Sequence, residues 1–161
     1  MKIGKLKYPT LTVDPGYHTG WATWAKEGIL KPKMFGTIVN LHRENDWADR
    51  MNTMAAAFDA IVRGQQVKTV CLEFVALWEL SMKSRTSAVK GDTFRLAYLI
   101  GGYGKVAHDN HCNLILIQPD QWKGNMDKNV LSLRVKRATG HIYEDHVCDA
   151  VGIGLYLQRA L

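Results

Sequence analysis

Hydrophobic and polar residues alternate in short runs along the first third of the chain, the pattern of β-strands that bury one face. Three such runs lie near residues 10–14, 19–25 and 34–39. A Pro-Gly pair separates the first two runs, and a short polar stretch separates the next two. Connections of this length typically join consecutive antiparallel strands. We therefore predict an antiparallel meander of three strands.

From Asp46 the hydrophobic period changes to that of an amphipathic helix. The apolar residues form one helical stripe that runs as far as Gly64: Trp47, Met51, Met54, Ala55, Phe58, Ile61 and Val62. A short apolar strand follows at 67–74, and the acid Glu73 lies at its end. A strand, a helix and another strand in this order predict a parallel crossover beside the meander.

The middle of the chain combines a loop, a helix and a fifth strand. Residues 76–90 have no clear period and carry several Lys and Arg residues, which favours a basic loop. Asp92 is expected to cap a helix that continues to about His108. A fifth strand is predicted at 113–118, and Pro119 ends it.

The last part of the chain is predicted to be mainly helical. A connecting turn is expected at 120–124, and a short basic helix at 129–138 is closed by Gly140. The final helix starts at Asp145 and is apolar on nearly every side except its first turn. Together these elements predict an α/β fold in one domain, residues 1–161. Its mixed five-stranded sheet, an antiparallel meander plus parallel strands, is flanked by helices.

The composition is that of a globular protein with a positive charge. With 161 residues, 47% of them hydrophobic, the chain is long enough to bury a core. A net charge of +6 and a pI near 9.3 favour an anionic partner such as nucleic acid, and a merely basic soluble protein is the alternative. Cys71, Cys112 and Cys148 are expected to be reduced core residues. Without a signal-peptide pattern or an apolar run of about 18 residues, we expect a cytosolic protein and no membrane span.

Ionisable residues stand at several predicted strand and helix ends. Asp14 ends the first strand, Glu73 ends the fourth, and His146 and Asp149 share one face of the last helix. A carboxylate in the apolar run around Glu73 needs a cationic partner, and a metal ion is one such partner. Simpler explanations stay open for each residue. Asp-Pro-Gly forms ordinary turns, Glu73 can point to solvent, and acids such as Asp145 and Asp149 favour a helix N-terminus.

Two other kinds of site find little support in the sequence. The glycines at 101–104 lack the spacing and the preceding strand of a phosphate-binding loop. The histidines His18, His42, His108 and His111 show no zinc-like spacing with the cysteines.

Three motifs, taken in order, resemble the RuvC family of Holliday junction resolvases in the ribonuclease H-like superfamily. They are the opening Asp-Pro-Gly with Thr-Gly-Trp-Ala, the Leu-Glu strand end, and the closing His-x-x-Asp-Ala helix. The likeness runs from Thr10 to Leu157. It implies a ribonuclease H-like fold, a homodimer, and two divalent ions, Mg²⁺ or Mn²⁺, in each active site.

The resemblance also implies which side chains act as metal ligands and catalytic residues: Asp14, Glu73, His146 and Asp149. The spacing of the family's last pair selects His146 over Asp145, and histidine replaces the commoner aspartate at that position. One imidazole among hard carboxylate ligands shifts preference toward transition metals. We therefore expect Mn²⁺ to support cleavage at least as well as Mg²⁺.

The activity that the resemblance implies is that of a structure-selective crossover junction endodeoxyribonuclease. It would resolve four-way or other branched DNA by paired symmetrical nicks, through two-metal-ion hydrolysis of phosphodiesters. Such an enzyme would act in DNA recombination and repair or in phage DNA processing, in the cytoplasm of a bacterial or phage-infected cell.

Binding of DNA must come from positive side chains outside an acidic metal site. The candidates are the basic residues after the fourth and fifth strands, with one tryptophan that matches the family's junction wedge loosely: Trp78, Lys83, Arg85, Lys90, Lys123, Lys128, Arg134, Lys136 and Arg137. The helix near 92–108, with Tyr98 and Ile100, is the predicted dimer interface, because a two-fold dimer matches the symmetry of a four-way junction.

Two rival functions stay open at this point. A different ribonuclease H-like nuclease would use the same metal site on other branched DNA or on RNA–DNA hybrids, because loops determine the choice of substrate. A basic DNA-binding module without catalysis would use the same acids only as caps and turns.

Overall fold

The structure, a computed structural model, describes residues 6–39, 46–74 and 91–161. Its strands are β1 (Thr10–Asp14), β2 (His18–Trp24), β3 (Met34–Val39), β4 (Thr69–Glu73) and β5 (Asn113–Ile117). Its helices are α1 (Trp47–Gly64), α2 (Asp92–Asp109), α3 (Pro119–Trp122), α4 (Lys128–Thr139) and α5 (Asp145–Leu157). The loop predicted at 76–90 lies outside the described residues.

The strands form one mixed sheet in the order β3-β2-β1-β4-β5. β1, β2 and β3 pair antiparallel, whereas β4 is parallel to β1 and β5 is parallel to β4. The predicted meander, parallel crossover and mixed five-stranded sheet are therefore confirmed. Val13 pairs with Leu72, so the residues that follow them, Asp14 and Glu73, end neighbouring parallel strands at the same edge.

Helices cover both faces of the sheet, and each face has its own core. Because side chains alternate along a strand, Leu11 and Val13 pack on one face against α1 and α2. The rings of Phe58 and Tyr103 stack within that core, with centroids 4.3 Å apart. The other face packs against α3, α4 and α5. A helix that is apolar nearly all round, as α5 is, suits this buried position.

Two contacts hold α5 directly on the sheet. The buried Thr12 hydroxyl accepts a hydrogen bond from Trp24 Nε1 at 2.9 Å and donates one to the Ala150 carbonyl of α5 at 2.7 Å. The Trp24 ring also fills the space beside Gly154, where an added Cβ would lie 2.0 Å from it. The hydroxyl and the missing side chain together define how closely α5 approaches the strands.

Most predicted element bounds agree with the structure, but two details differ. Gly91, with a φ of 79°, is the N-cap of α2, so Asp92 is the first helical residue and not the cap. The segment predicted as a turn at 120–124 contains the short helix α3. Pro119 at its first position has the φ that a helix needs, and the N-cap Gln118 forms a capping box with Gln121, the third residue of the helix.

The remaining expectations concern the cysteines and the membrane. Cys71 and Cys148 are buried free thiols, whereas the free thiol Cys112 is only partly buried. Among the helices of the described ranges, none has the length and hydrophobicity needed to cross a bilayer.

Candidate active site

The proposed ligands meet at the edge where β1 and β4 end. Asp14 and Glu73 are the last residues of those two strands, and His146 and Asp149 lie in the first turns of α5, above the same edge. The three carboxylate side chains are largely buried, with 11–14% of their surface exposed. The structure therefore brings together the four residues that the motifs single out.

A glycine in β2 lets the first turn of α5 reach this edge. Gly20 pairs with Asp14 across the two antiparallel strands. A Cβ at Gly20 would lie 2.0 Å from the carbonyl oxygen of His146, well inside van der Waals contact. Only glycine permits this approach of backbone to backbone. The Thr-Gly step of the opening motif thus has a steric function.

His146 and Asp14 form the first half of the site. His146 Nδ1 lies 3.0 Å from Asp14 Oδ2. The contact is a hydrogen bond between the ring nitrogen and the carboxyl oxygen, and it fixes the orientation of the His146 ring. The ring of His18 lies nearly parallel to that of His146, with a centroid separation of 5.9 Å and an interplanar angle of 12°. The sequence alone assigned no role to His18.

Lys123 organises the second half of the site. Its ammonium lies 3.7 Å from Glu73 Oε2 and 3.4 Å from Asp149 Oδ2. The neighbouring Trp122 donates a hydrogen bond from Nε1 to Glu73 Oε2 at 2.8 Å, and the Lys123 ammonium lies 4.9 Å from the centroid of the Trp122 ring. Predicted as a phosphate contact, Lys123 is mostly buried here and pairs with two of the acids.

A local signal for this arrangement exists in the sequence. The proline after β5 is typical of the first position of a helix. β5 ends on Ile117, which pairs with Glu73, so α3 starts at the same edge of the sheet as the acids. A Trp-Lys pair on that short helix is therefore close to Glu73.

The electrostatics of the site follow from burial. Burial raises the pKa of Asp14 to about 6; the charge of Asp149 adds to this effect and the hydrogen bond to His146 opposes it. Burial also raises the pKa of Glu73 to about 7, against the opposing charge of Lys123. Raised pKa values mean that nearby positive groups do not fully compensate the negative charge of the ionised carboxylates. The pocket therefore favours additional positive charge.

The donor chemistry fits hard divalent ions, since carboxylate oxygens are the ligands that Mg²⁺ and Mn²⁺ prefer. The arrangement itself is not that of a formed metal centre. Within residues 6–39, 46–74 and 91–161, no group of three or more His, Cys, Asp and Glu side chains is positioned to hold a metal ion. Instead, the Lys123 ammonium pairs with Glu73 and Asp149, and Asp14 is hydrogen-bonded to His146.

Asp145 is paired with a cation next to this pocket. Its carboxylate pairs with the Lys128 ammonium, and about half of its side chain is exposed. The side chain that contacts Asp14 is that of His146, the residue that the family spacing selects.

The other predicted DNA contacts fall into two groups. Arg134, Lys136 and Arg137 are exposed on α4, which continues from Lys128 at the rim of the site. Four candidates lie outside the described residues: Trp78, Lys83, Arg85 and Lys90. The described basic residues thus form a positive helix beside an acidic pocket.

An aromatic and cationic cluster adjoins Asp14 on the α1 and α2 side, and the sequence analysis did not anticipate it. Arg95 Nη1 donates to the Tyr17 hydroxyl at 3.3 Å, and the Arg50 guanidinium lies 5.6 Å from the Tyr17 ring centroid. Arg95 also lies 6.0 Å from the ring centroid of Trp47. The signal was the aromatic residue directly after Asp-Pro-Gly.

Comparison with solved structures shows which known fold this is. A Thermus thermophilus RuvC structure aligns with a TM-score of 0.72, covering 91% of each chain at 17% identity. T. thermophilus RuvC in complex with a Holliday junction substrate gives a TM-score of 0.74, with 91% of this chain and 90% of that chain covered at 18% identity. The fold is that of RuvC.

A third solved structure is similar at a lower TM-score. The yeast mitochondrial Holliday junction resolvase Ydc2 gives a TM-score of 0.59 at 13% identity, covering 94% of this chain and 78% of that chain. No protein-family model matches the sequence, and no curated protein does. The RuvC fold predicted from three short motifs is confirmed.

Proposed function

We propose that this protein is a metal-dependent endonuclease that resolves four-way DNA junctions. The observation that carries the proposal is the convergence of Asp14, Glu73, His146 and Asp149 at one edge of a RuvC fold. Their order along the chain and their elements are those that the family motifs imply. The likeness to a RuvC structure that contains a Holliday junction substrate supports the choice of DNA as the partner.

The proposed cofactor is a pair of Mg²⁺ or Mn²⁺ ions, and Asp14, Glu73, His146 and Asp149 would hold them. When bound, the ions supply positive charge to an attacking water and to the leaving 3′-oxygen of a phosphodiester. The raised pKa values of Asp14 and Glu73 support this assignment, because a pocket short of positive charge favours cation binding.

The chain's own residues prepare the pocket for this chemistry. Trp122 orients the Glu73 carboxylate through its Nε1 hydrogen bond. The ammonium of Lys123 compensates Glu73 and Asp149 and is at the same time a cation that pairs with phosphate. The hydrogen bond between His146 Nδ1 and Asp14 Oδ2 orients the His146 ring.

The exposed basic side chains of α4 are the proposed contacts to the DNA arms. They stand beside the acidic pocket, which by itself repels a polyanion. Phosphate contacts by Arg134, Lys136 and Arg137 would release counterions, so we expect the affinity for DNA to fall steeply with salt.

A homodimer through the outer face of α2 completes the proposal. Phe94 and Tyr98 are exposed on that helix by 69% and 45%, and Tyr98 packs edge-on against Trp47 with a centroid distance of 5.4 Å. At Gly101, one turn further on, a Cβ would meet no other atom within 4 Å. An exposed aromatic face next to a small residue suits close contact with a second copy. A monomer in analytical ultracentrifugation at micromolar concentration, with and without junction DNA, would contradict this part.

Cleavage assays test the proposed activity. The substrates are a synthetic mobile four-way junction, a duplex, a fork and an RNA–DNA hybrid, each with Mg²⁺ or Mn²⁺, for the wild type and Asp14→Asn. We expect paired symmetrical nicks in the junction, at least as fast with Mn²⁺, and their loss in Asp14→Asn. Cutting of the hybrid or fork in preference to the junction would favour the other nuclease class. Binding without cutting, unchanged by Asp14→Asn, would favour a non-catalytic module.

A further inference from the structure

A cavity lies directly beside the candidate site, on the α1 and α2 side of the turn that follows Asp14. Its volume is about 180 Å³. The apolar part of its wall comes from the turn, from α1 and from the first turns of α2: Pro15, Gly16, Met51, Leu96 and Leu99. The ring of Tyr17 adds an aromatic surface. The cavity is therefore mainly apolar and has one aromatic residue in its lining.

Polar and charged groups also line this cavity. Arg95 donates to the Tyr17 hydroxyl at 3.3 Å and lies 3.7 Å from Asp92, and both of these charged side chains are more than a third exposed. The Arg50 guanidinium adds a second positive group over the Tyr17 ring. Arg95 also interacts with the charge of Asp46, so the surroundings of the cavity carry both positive and negative groups, unlike the acidic pocket next to it.

We propose that this cavity receives one nucleobase of the DNA strand being cut, while Arg95 contacts the adjoining phosphate. The inference rests on the proposed nuclease function and adds a specificity site to it. A base extruded from a stack is held between apolar and aromatic side chains, and its polar edge takes hydrogen bonds. Apolar walls, the Tyr17 ring and the nearby Arg95 and Asp92 offer these contacts together.

Size and position both support a single base as the occupant. The cavity is smaller than the roughly 300 Å³ at which pockets for drug-sized ligands begin, so one ring system suits it and a dinucleotide does not. Pro15 lines the cavity and directly follows Asp14, about 3.8 Å away between Cα atoms. A base in the cavity would therefore belong to a nucleotide adjacent to the phosphate that is cut.

The test is a scan of abasic positions in the four-way junction. Single abasic sites are placed at each of the positions flanking the cut, and cleavage is measured for the wild type and for Leu96→Phe, which fills the cavity. At one position we expect the abasic site to slow the wild type about tenfold, as stacking contributions predict. At that position the abasic site is expected to change the cleavage rate of the Leu96→Phe variant by less than twofold. The phenylalanine already excludes the base from the cavity, so removing the base has little further effect.

Controls separate this inference from the function on which it rests. Leu30→Phe makes the same change at a leucine outside the cavity and is expected to keep the wild-type abasic profile. If Leu96→Phe does not fold, judged by its thermal melt, Tyr17→Ala replaces it, since it removes the aromatic wall from an exposed position. A junction cut equally well at every abasic position, or an abasic effect identical in wild type and variant, would overturn the base pocket alone. A protein that cuts no DNA would overturn the proposed function.

Discussion

The two halves of the candidate site compensate their buried carboxylates in different ways. Asp14 is hydrogen-bonded to His146, whereas Glu73 and Asp149 share the ammonium of Lys123. The first half thus uses a side chain of α5, and the second uses the residue that caps the short helix α3. Burial raises the pKa of one carboxyl in each half, Asp14 and Glu73, so both halves respond to pH. The difference is that the ammonium of the second half can be removed by a single substitution, Lys123→Met.

Both halves depend on the position of α5 against the sheet. A change where β2 contacts the first turn of α5 is therefore expected to have the largest effect. In Gly20→Ala the new Cβ would meet the His146 carbonyl at 2.0 Å and displace the first turn of α5. Displacements of about 1 Å can cost 100-fold in rate, and we expect at least that loss of junction cleavage. Overpacking should also lower the free energy of unfolding by about 1–3 kcal/mol, measured by denaturant titration.

Gly64→Ala is the matched control, because a Cβ at that helix end would meet no other atom within 4 Å. Its cleavage rate and stability should stay close to those of the wild type. Full cleavage by Gly20→Ala would mean that His146 and Asp149 are not held where the structure has them.

Lys123→Met changes only the half of the site that contains Glu73 and Asp149. It leaves Glu73 and Asp149 largely buried without their ammonium partner, which should destabilise the metal-free protein by about 2 kcal/mol. Added Mn²⁺ should recover more stability in this variant than in the wild type, because the ion takes over the compensating charge. Thermal melts with chelator and with Mn²⁺ measure both effects.

Lys128→Met is the control for Lys123→Met. Lys128 pairs with Asp145 at an exposed position, so its loss should change stability by less than about 1 kcal/mol. Equal losses of stability in the two variants would show that Lys123 does not compensate the buried carboxylates.

The protonation state of Glu73 gives a prediction about pH. Its pKa is raised from 4.5 to about 7 in the folded protein, so the folded state binds the proton more tightly than the unfolded state. The free energy of unfolding of the wild type should therefore fall as the pH rises from about 4.5 to 7. Glu73→Gln has no carboxyl at this position and should not show this decrease. The variant's advantage in metal-free buffer should grow from near zero below pH 4.5 to about 3 kcal/mol above pH 7.

Urea titrations at several pH values in the presence of a chelator measure this difference. Asp14→Asn should show the same trend with its midpoint shifted lower, because the pKa of Asp14 is raised only to about 6. A gap between variant and wild type that does not change with pH would contradict the burial of these carboxyls.

The smallest expected effect concerns His18, which stacks on His146 in the half of the site that contains Asp14. His18→Ala should slow cleavage about threefold by freeing the His146 ring, in line with the modest energy of aromatic pairs. His18→Phe restores a flat ring and should restore most of the rate. If the alanine variant matches the wild type at every metal concentration, the stacking has no role in positioning His146.

Local patterns in the sequence were enough to predict the sheet and most of the helices. The alternation at 10–14 and the stripe from Trp47 to Val62 report which side of each element is buried, and burial decides secondary structure. The missed helix α3 is only four residues long, too short for a periodic signal, and is held by its proline and capping glutamines.

The same distinction between local features and long-range contacts applies to the candidate site. The sequence alone determined that acids stand at the ends of β1 and β4 and at the start of α5, because strand ends and helix starts are local features. Only the tertiary structure decided that His146 contacts Asp14, that Lys123 lies between Glu73 and Asp149, and that a cavity opens beside Pro15. These contacts join residues far apart in the chain. The contacts of His146 and Asp149 depend on how closely α5 approaches the sheet, which Gly20 and Gly154 permit through their missing side chains and Thr12 fixes through a hydrogen bond.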